Sequence, residues 1–268
     1  MRSARIETMS DGSSTMSHPY TMRLGLPCLA FGLLLILWDL AARHSGWSAD
    51  VFPGPVRVFI SIGALVADGT LIRHTVASLF RVTAGFYLAV MAGIPLGIML
   101  GRWQQARFLI NPLIQFLRPI SPLAWIPLSM LWFGIGDKPA VFLIFLSSFF
   151  PIVVSTTATV STINPIFFQV GANFNFTRWE TITRVILPAM IPGTITALRI
   201  SVTIAWLVVV AAEMIAVQSG LGYLILDSRN ALRMDFVMAG MIVIGIIGLL
   251  LDGIMRRLGR LESTGWAC

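Results

Sequence analysis

Apolar residues in this 268-residue chain occur in long blocks that short polar segments separate. The blocks cover about residues 24–42, 82–101, 109–133, 140–160, 194–216 and 236–255. Each approaches or exceeds the roughly 20 residues that a helix needs to cross the hydrocarbon core of a bilayer. The pattern therefore predicts an all-α integral membrane protein with six transmembrane helices.

Composition and charge agree with this class of protein. Hydrophobic residues make up 56% of the chain and charged residues only 12%, whereas a soluble domain usually has about 25% charged residues. Of the nineteen basic residues, only Lys138 is a lysine, and most of the arginines lie at the ends of apolar blocks or in the segments between them. This placement is typical of topology signals rather than of a nucleic-acid-binding surface, and it favours cytoplasmic N- and C-termini.

The segments outside the blocks complete the predicted organisation. Residues 1–21 and 263–268 are predicted to be terminal tails, with a transmembrane domain over 22–262. No small-x-small cleavage site follows the first block, which favours an uncleaved helix over a signal peptide. Residues 43–77 are too polar to span the membrane and are placed on the outer face, with a short interfacial helix near 56–66.

Two blocks have unusual internal residues. In the second, Gly85, Gly93 and Gly97 share one helical face, which predicts close helix packing. The third contains four prolines, Pro112, Pro119, Pro122 and Pro127. Because proline lacks a backbone donor and clashes with the preceding turn, this span is predicted to be bent or broken. Irregular backbone at membrane depth faces protein or water, so a pathway lining and a packed, kinked helix both remain open.

Carboxylates in or beside the blocks are functional candidates, because a charge is costly inside a bilayer. Asp39 and Asp252 lie near block ends, where hydrogen bonding at the interface explains them. Glu213 lies deeper, and both a structural ion pair and a gate remain open for it. We predict a translocation pathway lined by the third and fifth spans, with Ser121, Trp125, Trp206 and Glu213 near it.

The chain contains no pattern for catalysis or metal binding. A phosphate-binding loop needs a glycine-rich turn followed by Lys and Ser or Thr, but Lys138 is followed by Pro139. Cys28 and Cys268 are too far apart in sequence to form a metal-ligand motif, and the three histidines are scattered. The sequence therefore predicts no catalytic residue, metal site or cofactor on this chain, and any ATP would be hydrolysed by another subunit.

The polar segment over about 165–192 is the best candidate for a functional loop. Its sequence predicts two short helices joined at Asn175, a residue that tolerates the left-handed conformation found at helix ends. Thr177 is positioned to cap the second helix, with Glu180 as its capping-box partner. Pro188 is predicted to end that helix.

The surface of this loop is predicted to be aromatic and basic. Two helices meeting at the turn would present Phe174, Phe176 and Trp179 outward, beside Arg178. Aromatic side chains also rest in lipid headgroups, so an interfacial loop and a protein-binding loop both remain possible.

The same loop resembles the cytoplasmic signature of binding-protein-dependent ABC transporter permeases, E-A-A-x3-G-x9-I-x-L-P. Leu187-Pro188 matches its end, Val185 the isoleucine, Asn175 the glycine, and Gln169-Val170-Gly171 the E-A-A triplet. The glutamate and the glycine of the signature are therefore replaced. Four further segments, FPGPVRVF, HTVASLFRVTAGF, RPISPLAWIPLSMLWFGIGDKPAVFLIFLSSFFPIVV and WLVVVAAEMIAVQSGLGYLILDSRN, are similar to the nitrate, sulfonate, taurine and bicarbonate branch of this family.

The resemblance implies a type I ABC importer (MetI-like) permease fold in the bacterial inner membrane. It implies a homodimer, two ATPase subunits that carry ATP and Mg²⁺, and a periplasmic or lipid-anchored binding protein that delivers a small anion. The residues it places in the ATPase-coupling loop are Gln169, Gly171, Phe174, Asn175, Phe176, Arg178, Trp179, Leu187 and Pro188. The alternatives are an ion-gradient-driven transporter, which would predict an internal repeat that we do not find, and a membrane-embedded enzyme.

Overall fold

The computed structural model describes residues 20–44, 46–48 and 50–263, and all regular secondary structure in these ranges is helical. Most of the two predicted terminal tails, residues 1–19 and 264–268, lies outside the described residues. The helices are α1 Tyr20–His44, α2 Pro55–Ala67, α3 Thr70–Arg102, α4 Gln104–Leu117, α5 Ile126–Phe133, α6 Asp137–Ser161, α7 Pro165–Asn173, α8 Arg178–Thr181, α9 Leu187–Ala216, α10 Leu221–Asn230 and α11 Met234–Ser263.

Four described segments are long and apolar enough to cross a membrane: Thr70–Arg102, Asp137–Ser161, Arg178–Ala216 and Met234–Gly259. The other two predicted spans coincide with α1 and with the segment that contains α4 and α5. Helix α3 begins at Thr70, well before residue 82, where the second apolar block starts. The helix continues through this polar region because Ser78 and Arg81 are buried against partners from other helices.

The third predicted span is broken, as its prolines indicate. Helix α4 ends at Leu117, and a single 3₁₀ turn over Pro122–Trp125 precedes α5. The hydroxyl of Ser121 accepts a hydrogen bond from the backbone N–H of Leu123 at 3.3 Å and so caps this turn. Ser121 and Trp125 therefore lie in irregular backbone between two short helices.

Helix α6 packs between α3 and α9, and α11 packs against α9 and α10. The contact between α3 and α6 confirms the predicted face of small residues. A Cβ atom placed on Gly85 would lie 2.7 Å from the Cβ of Ile144, and one on Gly97 would lie 2.5 Å from the Cβ of Thr156. Since real Cβ atoms do not approach so closely, the absence of side chains at these positions allows the two backbones to meet.

Candidate functional site

Backbone hydrogen bonds fix the turn between α7 and α8. Asn175 has φ of 53°, which confirms the predicted left-handed conformation. Its N–H donates to the carbonyl of Ala172 at 3.0 Å, and the N–H of Phe176 donates to the carbonyl of Gly171 at 2.9 Å. This pair of bonds is a Schellman motif. In this motif a left-handed residue turns the chain so that two backbone N–H groups bond the free carbonyls at the helix end.

The predicted capping box at the start of α8 is also confirmed. The hydroxyl of Thr177 accepts a hydrogen bond from the backbone N–H of Glu180 at 3.2 Å, and a carboxylate oxygen of Glu180 accepts one from the backbone N–H of Thr177 at 3.0 Å. These two bonds satisfy donors that the first turn of a helix leaves free. The direction in which α8 leaves the turn is therefore set by local sequence.

The prediction that Pro188 ends the second helix is wrong. The backbone passes from α8 through one π-helical turn, Ile182–Ile186, and continues as α9 from Leu187. A π turn shifts the backbone hydrogen bonding to i→i+5, and Pro188 comes directly after this turn, inside the continuing helix. The loop and the membrane helix α9 are consequently one continuous helical rod.

Two of the three loop aromatics point outward. Phe174 and Trp179 are 72% and 71% exposed, and Arg178 between them in sequence is also exposed. The prediction that Phe176 points outward is wrong, because its ring folds back over Gly171, where a Cβ atom would lie 3.1 Å from the ring. This is the apolar contact that accompanies a Schellman motif, and it explains a glycine at position 171.

A groove of about 850 Å³ runs beside α7 and is lined by residues that include Arg102, Arg107 and Gln169. The guanidinium carbon of Arg102 lies 4.5 Å from the centroid of the Phe168 ring, in cation–π geometry. This contact attaches α7 to the end of α3. Of the remaining predicted loop residues, Leu187 is exposed and Pro188 is half-buried.

A buried ion pair lies at the opposite end of the bundle. Nη1 of Arg81 in α3 donates to Oε1 of Glu213 in α9 at 2.6 Å, and both side chains are almost completely buried. Nε of Arg81 donates to Oδ1 of Asp137 at 2.8 Å, and Nη1 also donates to the carbonyl of Ser219 at 2.9 Å. The guanidinium thus connects α3 with the start of α6, the end of α9 and the following turn.

The second carboxylate oxygen of Glu213 is equally well satisfied. It accepts hydrogen bonds from the hydroxyl of Ser78 at 2.8 Å and from the backbone N–H of Gly222 at 3.0 Å. Gly220 also passes so close to this carboxylate that a Cβ atom there would overlap it. Of the two interpretations left open for Glu213, these contacts support the structural ion pair.

The four predicted pathway residues do not form one site in the described chain. Ser121 is exposed, and Trp125 is half-buried against an apolar cluster that includes Val208 and Ala212 of α9. Trp206 is buried, and its indole N–H donates to the carbonyl of Ile244 in α11 at 3.0 Å. The burial of Trp206 and Glu213 supports structural roles for these two, and a pathway role for the set remains a prediction.

Sequence reasoning missed two groups of charged residues. Arg81 lies just before the apolar block that was predicted as the second span, although a deep glutamate such as Glu213 requires a basic partner. Arg199 and Arg256 both bind Asp252, which joins α9 to α11. A signal for this second group was present, because Arg199 interrupts an otherwise apolar stretch at a distance from any loop.

Comparison with known proteins identifies the class. Residues 93–262 match the sequence model of the family described as "Binding-protein-dependent transport system inner membrane component". The chain is 34% identical to the taurine transport system permease protein TauC of Escherichia coli, over 94% of this chain and 91% of that protein. It is 31% identical to the nitrate import permease protein NrtB of Synechocystis, over 92% and 91% respectively.

A solved structure shares the fold. The permease fold occurs in the bacterial alginate ABC transporter crystallised with its alginate-pentasaccharide-bound periplasmic protein, where a chain aligns with a TM-score of 0.63 at 16% identity, covering 90% of this chain and 97% of that one. The chain therefore belongs to the family of inner membrane components of binding-protein-dependent transport systems. It is an all-α, multi-pass ABC importer permease with a MetI-like fold and is a transport subunit rather than an enzyme.

The turn at Asn175 gives a direct test of its left-handed conformation. We expect Asn175→Gly to retain folding and assembly, because glycine adopts positive φ readily. Asn175→Val should be severely defective, because branching at Cβ opposes this conformation. The measurement is the yield of assembled transporter and its uptake rate in one host. Equal activity of the two variants would show that no left-handed turn is required.

The buried ion pair predicts a large effect on stability. Arg81→Met leaves Glu213 buried and unpaired, which costs about 3–5 kcal/mol. The double variant Arg81→Met/Glu213→Gln should recover much of this loss, since glutamine still accepts the bonds from Ser78 and Gly222. The measurement is the thermal unfolding of purified protein, with Arg73→Met, an exposed position on the same helix, as the control. Similar melting temperatures for Arg81→Met and Arg73→Met would contradict the structural role.

Proposed function

We propose that this permease imports a small anion such as nitrate, taurine, an alkanesulfonate or bicarbonate. It works as a homodimer, with two ATPase subunits on the cytoplasmic side and a binding protein that delivers the solute to the outer face. Both termini are cytoplasmic in this arrangement. The observation that carries the proposal is the near full-length similarity to the taurine and nitrate permeases. The basic residues at the ends of the spans support the orientation.

The α7–α8 turn is the proposed ATPase contact. Phe174 and Trp179 together present two large exposed rings beside the charge of Arg178. Buried aromatic and arginine side chains are the residues that most often dominate binding energy at interfaces. The Schellman turn and the capping box hold these side chains on a rigid backbone, so that little conformational freedom is lost on docking.

Continuity between α8 and α9 supports the proposed coupling route. ATP binding would close the two ATPase subunits and displace the docked turn. Because α8 continues through the π turn into α9, this displacement reaches the membrane helix without an intervening flexible loop. The Arg102–Phe168 contact carries the same movement to the end of α3.

The translocation pathway is proposed to run beside the broken third span. Ser121 and Trp125 lie in its irregular backbone, which at membrane depth must face protein or water. Gln169 and Gly171 both lie in α7 and belong to the proposed ATPase-coupling loop. Gln169 lines the groove beside this helix. Trp206 and Glu213 support the pathway indirectly, since they fix α9 against α11 and α3.

Truncation of the exposed aromatics tests the ATPase contact. The permease is produced together with its ATPase and binding-protein partners, in a host that lacks its own uptake system. Loss of a docked anchor costs about 2 kcal/mol or more, so Phe174→Ala or Trp179→Ala should release the ATPase or uncouple hydrolysis from uptake. The measurements are ATPase copurification and uptake of labelled nitrate, taurine, an alkanesulfonate and bicarbonate.

Ile135→Ala is the matched control, because Ile135 is 74% exposed in the turn between α5 and α6, at the opposite end of α6 from the loop. It should leave both measurements unchanged. Full coupling in both aromatic variants would place the ATPase contact elsewhere. Absence of any copurifying ATPase and of uptake of all four solutes by the wild-type assembly would refute the proposed function itself.

A further inference from the structure

An exposed polar stripe runs along α9. Thr196, Arg199 and Thr203 recur at spacings of three and four residues, which places them on one helical face. Thr196 and Thr203 are exposed, and the Arg199 side chain is 41% exposed. Helix α9 belongs to one of the segments long and apolar enough to cross the membrane. Arg199 lies inside this apolar segment, where an arginine turned toward lipid is costly, which favours water or protein against this face.

Arg199 belongs to a charged cluster between α9 and α11. Its Nε donates to Oδ1 of Asp252 at 2.6 Å and its Nη2 donates to Oδ2 at 3.2 Å. Arg256 donates to the same Oδ2 atom. Among the side chains that the structure describes, no second carboxylate pairs with either arginine. Two arginines therefore share one carboxylate, and the cluster has a net charge of +1.

The cluster borders an open groove of about 400 Å³, whose lining combines the polar stripe and Asp252 with the apolar side chains of Ile200 and Ile204. The hydroxyl groups of Thr196 and Thr203 donate to backbone carbonyls within α9, so their protons are not available to a ligand. Within the described residues, Nη1 of Arg199 donates no hydrogen bond, so both of its N–H groups can donate to a ligand. A guanidinium edge suits the oxygens of a nitrate, carboxylate or sulfonate group.

We propose that the Arg199–Asp252–Arg256 cluster is the charge-selecting contact of the translocation pathway, and that it takes a small oxyanion. This inference rests on the proposed function and on the predicted pathway in the third and fifth spans, because the fifth span is α9 and its exposed face then borders that pathway. Asp252 holds Arg199 in place and neutralises part of its charge. The remaining attraction favours entry of an anion but is weak enough to permit release, as conduction through a narrow site requires.

Charged thiol reagents test this contact without knowledge of the transported solute. The background is Cys28→Ser/Cys268→Ser, which removes both native thiols, and Thr203→Cys is introduced into the complete transporter in membranes. Its reaction rate is measured with the anionic sulfonatoethyl and the cationic trimethylammonioethyl methanethiosulfonates. The ratio of the anionic rate to the cationic rate should be roughly tenfold higher than the same ratio on a free thiol. This is the effect expected for unit charges about 6 Å apart in water.

Two further variants assign this preference to Arg199. Adding Arg199→Gln should abolish it, because the cluster then has no net charge, whereas Arg199→Lys should retain most of it. Leu207→Cys, a further turn along the same exposed face, should show a weaker preference because it lies farther from the cluster. The Lys variant separates loss of charge from loss of folding.

Three results would overturn the proposal. These are no reaction of Thr203→Cys with either reagent in any nucleotide state, no anion preference, and a preference that survives Arg199→Gln. Each of these results can be distinguished from failure of the proposed function, because that function is tested separately. Its test is ATPase copurification and solute uptake by the wild-type assembly. Normal uptake without an anion preference would reject the selecting contact alone.

Discussion

The ion pair between Arg81 and Glu213 is the interaction that organises one end of the bundle. In a membrane protein, a buried charge is tolerated only with a partner and with its remaining hydrogen bonds satisfied. Arg81 meets this requirement by binding Glu213, Asp137 and the Ser219 carbonyl. Helices α3, α6 and α9 and the turn before α10 are thereby joined at one point. The glycine at position 220 in that turn follows from the same constraint, because a side chain there would overlap the carboxylate.

The end that carries α7 and α8 is built differently. Local caps shape the loop, and it meets α3 through the cation–π contact between Arg102 and Phe168 and through an apolar cluster that includes Ile94, Ile98, Phe168 and Ile182. Between the two ends, the small-residue face of α3 allows close backbone packing against α6. The molecule therefore combines a tightly bonded end with an end whose exposed aromatics are free to bind a partner.

The sequence was sufficient where short-range physics decides the outcome. Long apolar blocks defined the membrane class, and proline clustering located the break before α5. Asn175 and Thr177 could be assigned because a left-handed helix end and a capping box involve residues only a few positions apart. The small-residue face of α3 was readable for the same reason, since its periodicity is local.

The features that sequence reasoning missed depend on segments far apart in the chain. The early start of α3 requires partners for Ser78 and Arg81 that come from beyond residue 136. Phe176 turns inward because Gly171 leaves space for its ring, and α8 joins α9 because a π turn precedes Pro188. The pairing of Arg199 with Asp252 likewise joins two helices that the sequence alone does not place side by side.

The central claim is that the α7–α8 turn is the surface through which the ATPase drives this permease. Photocrosslinking tests it most directly, with a benzophenone amino acid placed at Phe174 in the assembled transporter and, for comparison, at Ile135 at the other end of α6. We predict a crosslink to the ATPase subunit from position 174 and none from position 135. A transporter that is active in uptake yet forms no ATPase crosslink at position 174, or forms one at position 135 instead, would contradict this account.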